Sequence, residues 1–140
     1  MNGKSIAEKV VDKMMSGDLF SQWLGISVVA IAEGKCTLSM KVRKEMLNGF
    51  SIAHGGITYS LADSALAFAS NSHRRKAVSI ETSISHIVSL KEGDVIIADA
   101  EENSLKDKVA IYTITVKKED GVLVALFKGT VYRTSKEWDV

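Results

Sequence analysis

Asp63 is the only formal charge between His54 and His73, in a stretch that is otherwise apolar or carries small polar residues such as Thr58, Ser60, Ser64, Ser70, Asn71 and Ser72. The stretch predicts one long helix. A helix that is apolar nearly all round is wrapped by the rest of its protein. An ionised carboxylate in such a place is costly to desolvate unless something pairs with it or uses it. Just upstream, His54-Gly55-Gly56 falls where the loop over 44–53 turns into that helix. The first-turn N–H groups of a helix lack intrahelical acceptors, and with the positive end of the macrodipole they favour negative charge. Glycine lets a ligand oxygen approach that backbone closely. A carbonyl placed there would have the oxyanion of an acyl-transfer reaction stabilised, one such donor contributing roughly 3 kcal/mol in the transition state. Two glycines that merely start a close-packed helix would leave the same trace.

Gly55 and Asp63 stand eight positions apart on this helix, which is roughly 12 Å along its axis. One carbonyl cannot touch both. If both serve one reacting centre, donor and carboxylate come from two copies of the chain related by a two-fold axis. An obligate dimer with two composite sites is therefore the expectation.

The elements that must hold these residues follow from periodicity. Ile6, Val10, Val11 and Met14 recur at helical spacing over 4–16, and Asp18 to Leu24 adds a short turn or helix bearing Phe20, Trp23 and Leu24. Gly25 ends this piece. Strands follow over 26–32 and 35–42, joined by the Glu33-Gly34 turn, and four more come after the long helix, over 77–88, 94–102, 108–118 and 122–134. Alternation is clear in Ile80, Thr82, Ile84, His86 and Val88, and in Ala110, Tyr112, Ile114 and Val116. The order of one long helix between strand pairs, without a second helical crossover, excludes a doubly wound fold. It predicts α+β: an antiparallel sheet wrapped around one long helix. Residues 135–140 read as a loosely held tail.

At 140 residues the chain is one domain, 1–140, with enough length for a real core. Eighteen basic and seventeen acidic residues leave a net charge of +1 with no polybasic block, which argues against nucleic acid or an anionic membrane as partner. No run reaches the length of a membrane span and the N-terminus lacks a signal-peptide core, so a cytoplasmic location is expected. The single cysteine, Cys36, allows no internal disulfide and reads as a small core residue. His54, His73 and His86 have neither metal-ligand spacing nor cysteine company, so no metal site and no resident cofactor are expected; His86 reads as a structural strand residue.

Met46-Leu47-Asn48-Gly49, His54-Gly55-Gly56, Ser60-Leu61-Ala62-Asp63 and Ala69-Ser70-Asn71-Ser72 together resemble the central motif of hotdog-fold acyl-CoA thioesterases, in the phenylacetate-degradation (PaaI-type) branch. The Glu33-Gly34 turn, the Lys91-Glu92-Gly93-Asp94 turn and Val124-Ala125-Leu126-Phe127-Lys128-Gly129 extend the similarity over about residues 20 to 134. The resemblance implies a hotdog fold, dimers joined sheet edge to sheet edge and assembled as homotetramers, and interfacial sites acting on an acyl-CoA. It implies Asp63 as general base or nucleophile, Gly55 as the oxyanion donor with His54 and Gly56 shaping its turn, Asn48 placing the thioester or water, and Ser79 near the water. Arg74, Arg75 and Lys76 are candidates for the phosphates of coenzyme A, although cations after a helix C-terminus also serve as ordinary dipole partners. The implied acyl group resembles phenylacetyl or hydroxyphenylacetyl.

Two other readings share the fold. A hotdog hydratase or dehydratase would carry histidine and acid in different, often proline-containing motifs, and this chain has no proline. A non-catalytic acyl-CoA-binding oligomer would keep the glycine turn but needs no carboxylate at Asp63.

Overall fold

The computed structural model describes residues 3–140. The chain opens with α1 (Ile6–Gly17), set by a reciprocal cap in which Glu8 N–H donates to Ser5 Oγ at 3.1 Å and Ser5 N–H donates to Glu8 Oε1 at 3.0 Å. A short α2 (Leu19–Leu24) follows and stops at Gly25, which takes the left-handed conformation. Strands β1 (Ser27–Ala32) and β2 (Lys35–Lys41) form a hairpin. A loop containing one 3₁₀ turn (Lys44–Met46) leads into α3 (Gly55–Asn71). Then come β3 (Arg75–His86), β4 (Val95–Leu105), β5 (Val109–Lys118) and β6 (Leu123–Glu137).

All strands join one antiparallel sheet in the order β1-β2-β4-β5-β6-β3. The sheet packs around α3, which touches β2, β3, β4, β5 and β6. This is the expected α+β hotdog arrangement. Leu61, Ala62, Ala65, Leu66, Phe68 and Ala69 of α3 are buried against Leu38, Met40, Ile96, Ile114 and Phe127 of the sheet. Each fully buried Leu or Phe contributes about 1.5–3 kcal/mol, so the helix is fixed by its surroundings more than by its own propensity. Helix and sheet approach so closely that a Cβ on Gly129 of β6 would lie 2.5 Å from a methyl of Leu66.

Two features of the strands matter for the site. β3 is an edge strand, paired only with β6, and it exposes Val78 and Ile80 at 58% and 60% of their surface. It also carries a bulge: Ser79 pairs with Val131 and Glu81 with Thr130, leaving Ile80 as the extra residue. Side chains alternate along a strand, so Ser79 and His86, seven positions apart, would point to opposite faces of a regular one. The bulge shifts the parity and lets both line cavities beside α3.

The C-terminus differs from expectation. Instead of a loose tail after residue 134, β6 runs through Glu137 and Trp138 is anchored. The Trp138 indole N–H donates to Asn71 Oδ1 at 2.8 Å, its backbone N–H donates to Arg74 O at 2.8 Å, and the Lys76 ammonium lies 4.8 Å from its ring centroid. The polar tail sequence hides this because its anchors act through tertiary contacts.

Candidate active site

The turn into α3 is built by hydrogen bonds among the sequence-predicted residues. Asn48 Oδ1 accepts from Phe50 N–H at 2.9 Å and from Ile52 N–H at 3.4 Å, closing the loop before the helix. His54 N–H donates to Met46 O, and His54 becomes the N-cap of α3, its Nδ1 accepting from Gly56 N–H at 2.9 Å. Of the two glycine amides, Gly56 is thereby engaged. Gly55 N–H has no acceptor among the described residues, and neither has the Asn48 Nδ2 amino group. Both residues line a cavity of about 240 Å³ with Ile52, Thr58, His86 and Leu90. The pair of glycines thus divides its labour: one amide is capped and the other is free to donate.

Asp63 sits in the middle of α3, half-buried, with no hydrogen bond or ion pair among the described residues. Burial foremost, then the carboxylate of Asp18, push its carboxyl above the ordinary carboxylate range. It lines a second cavity, of about 260 Å³, with Leu66, Ala67, Ser70, Ala77, Val78, Ser79 and Val131. Ser79 stands on β3 just before the bulge, exposed and beside this carboxylate pocket. Ser64, the next residue after Asp63, is tied into a different network, its hydroxyl 2.8 Å from Ser21 Oγ, which donates to Asp18 Oδ2 at 2.6 Å.

The candidate residues therefore fall into two separate groups, each a candidate half-site. One holds Asn48, His54, Gly55 and Gly56; the other holds Asp63 and Ser79. Both adjoin β3, the first at its His86 end and the second at its Ala77–Ser79 end.

The cations after α3 are placed differently from one another. Arg75 gives its guanidinium to the chain itself, donating to Thr134 O at 3.0 Å and Arg133 O at 3.2 Å and pairing with Asp107 at 3.1 Å. Arg74 Nε donates to Trp138 O at 3.2 Å. Lys76 is exposed over the Trp138 ring. Among the described residues no group of three or more His, Cys, Asp or Glu side chains could hold a metal ion, and no helix is long and apolar enough to cross a membrane.

Comparison with known proteins places this geometry in a family. Residues 50–125 match the model of the thioesterase superfamily. The chain belongs to that superfamily. Acyl-coenzyme A thioesterase PaaI of Escherichia coli is 33% identical over 120 residues, covering 86% of each chain. The solved structure of E. coli PaaI, from the phenylacetic acid degradation operon, superposes with a TM-score of 0.92 at 31% identity, covering 94% of this chain and 96% of that one. A protein of Archaeoglobus fulgidus is 41% identical over 133 residues, 95% of this chain and 86% of the relative. A Streptococcus mutans structure, solved bound to acetyl CoA, gives a TM-score of 0.78 at 26% identity, covering 81% of this chain and 91% of that one. This chain is accordingly a hotdog-fold thioesterase of the PaaI type, an enzyme that hydrolyses thioesters.

Within the matched segment lies one residue that the sequence did not single out as functional. His86, expected to be structural, is exposed and lines the Gly55 cavity. A Cβ added to Gly55 would come within 3.2 Å of His86 Nε2. The alternation of β3 gave His86 a face but not its partner, because the bulge that aims it is invisible in the pattern.

Proposed function

We propose that the protein hydrolyses an acyl-CoA thioester at two composite sites of a homodimer, Gly55 of one protomer polarising the carbonyl and Asp63 of its partner driving water onto it. The separation of two unsatisfied half-sites within one chain carries this reading. Each lacks what the other supplies, and both adjoin the exposed edge of β3. If β3 pairs antiparallel with its own copy about a point near its middle, the Ala77–Ser79 end of one strand meets the His86 end of the other. Asp63 and Ser79 then face the partner copy's free amide, and the pairing covers Val78 and Ile80 as well as the unpaired strand edge.

The steps balance with few groups. Asp63 takes a proton from water as the water oxygen bonds to the thioester carbon, and the carbonyl becomes an oxyanion held by Gly55 N–H. Collapse breaks the C–S bond, and the departing thiolate takes up the proton held by Asp63. A thiol of pKa about 8.5 leaves without strong acid assistance. The raised pKa of Asp63 makes it a stronger proton acceptor than an ordinary carboxylate. Asn48 Nδ2 serves to place the thioester, His54 keeps Gly55 free by engaging Gly56, and Ser79 orients the water.

The acyl group is proposed to be phenylacetyl or hydroxyphenylacetyl, on the likeness to E. coli PaaI, and the CoA moiety on the likeness to the acetyl CoA complex. Of the three candidate cations, Lys76 and Arg74 retain donors for phosphate, whereas Arg75 acts first as a tie between β3 and β6. A second exposed apolar patch, Leu19, Phe20 and Trp23 on α2, is a face by which dimers pair into a tetramer. The experiment is hydrolysis of acetyl-, hexanoyl- and phenylacetyl-CoA followed by released thiol, with light scattering for the assembly. Turnover fastest on phenylacetyl-CoA by a dimer or tetramer is expected; absence of turnover on all three would remove the hydrolase reading in favour of a binding protein.

A further inference from the structure

We propose that His86 is a second hydrogen-bond donor to the thioester oxygen, completing with Gly55 N–H a two-donor oxyanion site; this rests on the hydrolase reading above. A developing oxyanion accepts more than one hydrogen bond, and oxyanion sites of acyl-transfer enzymes combine backbone and side-chain donors. Here the second glycine amide cannot serve, because Gly56 N–H already donates to His54 Nδ1 at 2.9 Å. Outside the first turn of the helix and its cap, the atom nearest the position a Gly55 Cβ would occupy is His86 Nε2, at 3.2 Å, with Cε1 at 3.4 Å.

Three further observations agree. The imidazole makes no hydrogen bond or ion pair among the described residues, although it is a group that pairs readily when it has only a structural task. It lines the same cavity as Gly55 and Asn48. The strand bulge at Ile80 puts Thr82 in contact with Tyr59 of α3 and, on the same parity, directs His86 to the start of that helix. Gly55 then matters twice, for its free amide and because a side chain there would crowd the imidazole and shift it by a few tenths of an ångström.

The test compares His86→Phe with His86→Gln on phenylacetyl-CoA, alongside the wild type and Asp63→Asn. Phe keeps a planar ring of similar size but has no donor; Gln restores an N–H without acting as a proton carrier. The expected result is a kcat lower by about tenfold to a hundredfold in the Phe variant with KM little changed, and recovery of most of that loss in the Gln variant. Thermal melting and dimer content should match the wild type in both. Full kcat in the Phe variant, or a Gln variant as slow as the Phe variant, would overturn the donor role while the hydrolase reading stands on the loss in Asp63→Asn. A wild-type protein inert toward the thioester would overturn both.

Discussion

The two ends of α3 are built on opposite principles. At its C-terminal end the side chains of Asn71 and Ser72 are answered from within the chain. Asn71 receives Ala77 N–H and the Trp138 indole N–H and donates to Ala67 O and Ala77 O. The Ser72 hydroxyl donates to Ala69 O and accepts from Gly34 N–H, and His73 and Tyr112 converge on Glu102 at 2.6 Å each. At the N-terminal end Gly55 N–H and Asn48 Nδ2 have no partner among the described residues, and a little further along Asp63 is half-buried and unpaired among them. Folded chains satisfy nearly all their buried polar groups. On the function proposed above, a set that converges on two cavities without partners among the described residues serves a ligand, and the tied C-terminal end holds the helix still.

Substitutions at the two ends should accordingly separate activity from stability. Asp63→Asn carries the largest effect: loss of about a thousandfold or more in kcat with the dimer intact, measured by thiol release. Gly55→Pro comes next. Proline fits the first helical position, and His54 at φ −59°, ψ 136° already has the backbone that precedes proline, so the change removes the N–H with little damage to the helix. The expected loss is about a hundredfold in kcat, larger than that of Gly55→Ala, which brings the same crowding of His86 but keeps the donor. Equal losses in the two variants would show that crowding, not the amide, matters.

Asn71→Ala should do the reverse, lowering stability by about 2–3 kcal/mol in denaturant unfolding while kcat per folded protomer stays near wild type. A smaller effect has a telling sign. Because folding raises the pKa of Asp63, the folded state binds its proton more tightly than the unfolded state. Stability is therefore lost as pH rises from the ordinary carboxylate pKa through the raised one. Asp63→Asn should abolish that slope and leave the melting temperature at neutral pH equal to or above wild type. Least of all should happen at Cys36, where burial, helped by Asp99, pushes the thiol up to about 12. It should resist thiol reagents until the protein unfolds, and Cys36→Ala should leave kcat unchanged.

The contrast between the two ends was only half legible in the sequence. The candidate residues around α3 could be read because their signals are local: an Asn-Gly turn, a glycine pair before an apolar run and one charge inside it. The roughly 12 Å spacing could be computed there, since helical rise is independent of context, and with it came the expectation of a second chain if both groups serve one centre. Beyond that, local pattern failed where tertiary contacts decide. The choice between Gly55 and Gly56 depends on where the His54 ring turns. The role of His86 depends on one extra residue in β3, which leaves the alternation of Ile80, Thr82, Ile84 and His86 intact on paper while changing what Ser79 shares a face with. The anchoring of Trp138 and the engagement of Arg75 by the β6 backbone join residues some sixty positions apart, and no periodicity records them.

The composite site is tested most directly by complementation. Asp63→Asn and Gly55→Pro chains, each inactive as homodimers, are co-expressed with different tags and the mixed dimer is isolated. In a mixed dimer one of the two sites unites an intact Gly55 with an intact partner carboxylate, so its activity should return to about half that of the wild-type dimer. If each site drew both groups from a single chain, every site would carry a lesion, and a mixed dimer as inactive as its parents would contradict the account.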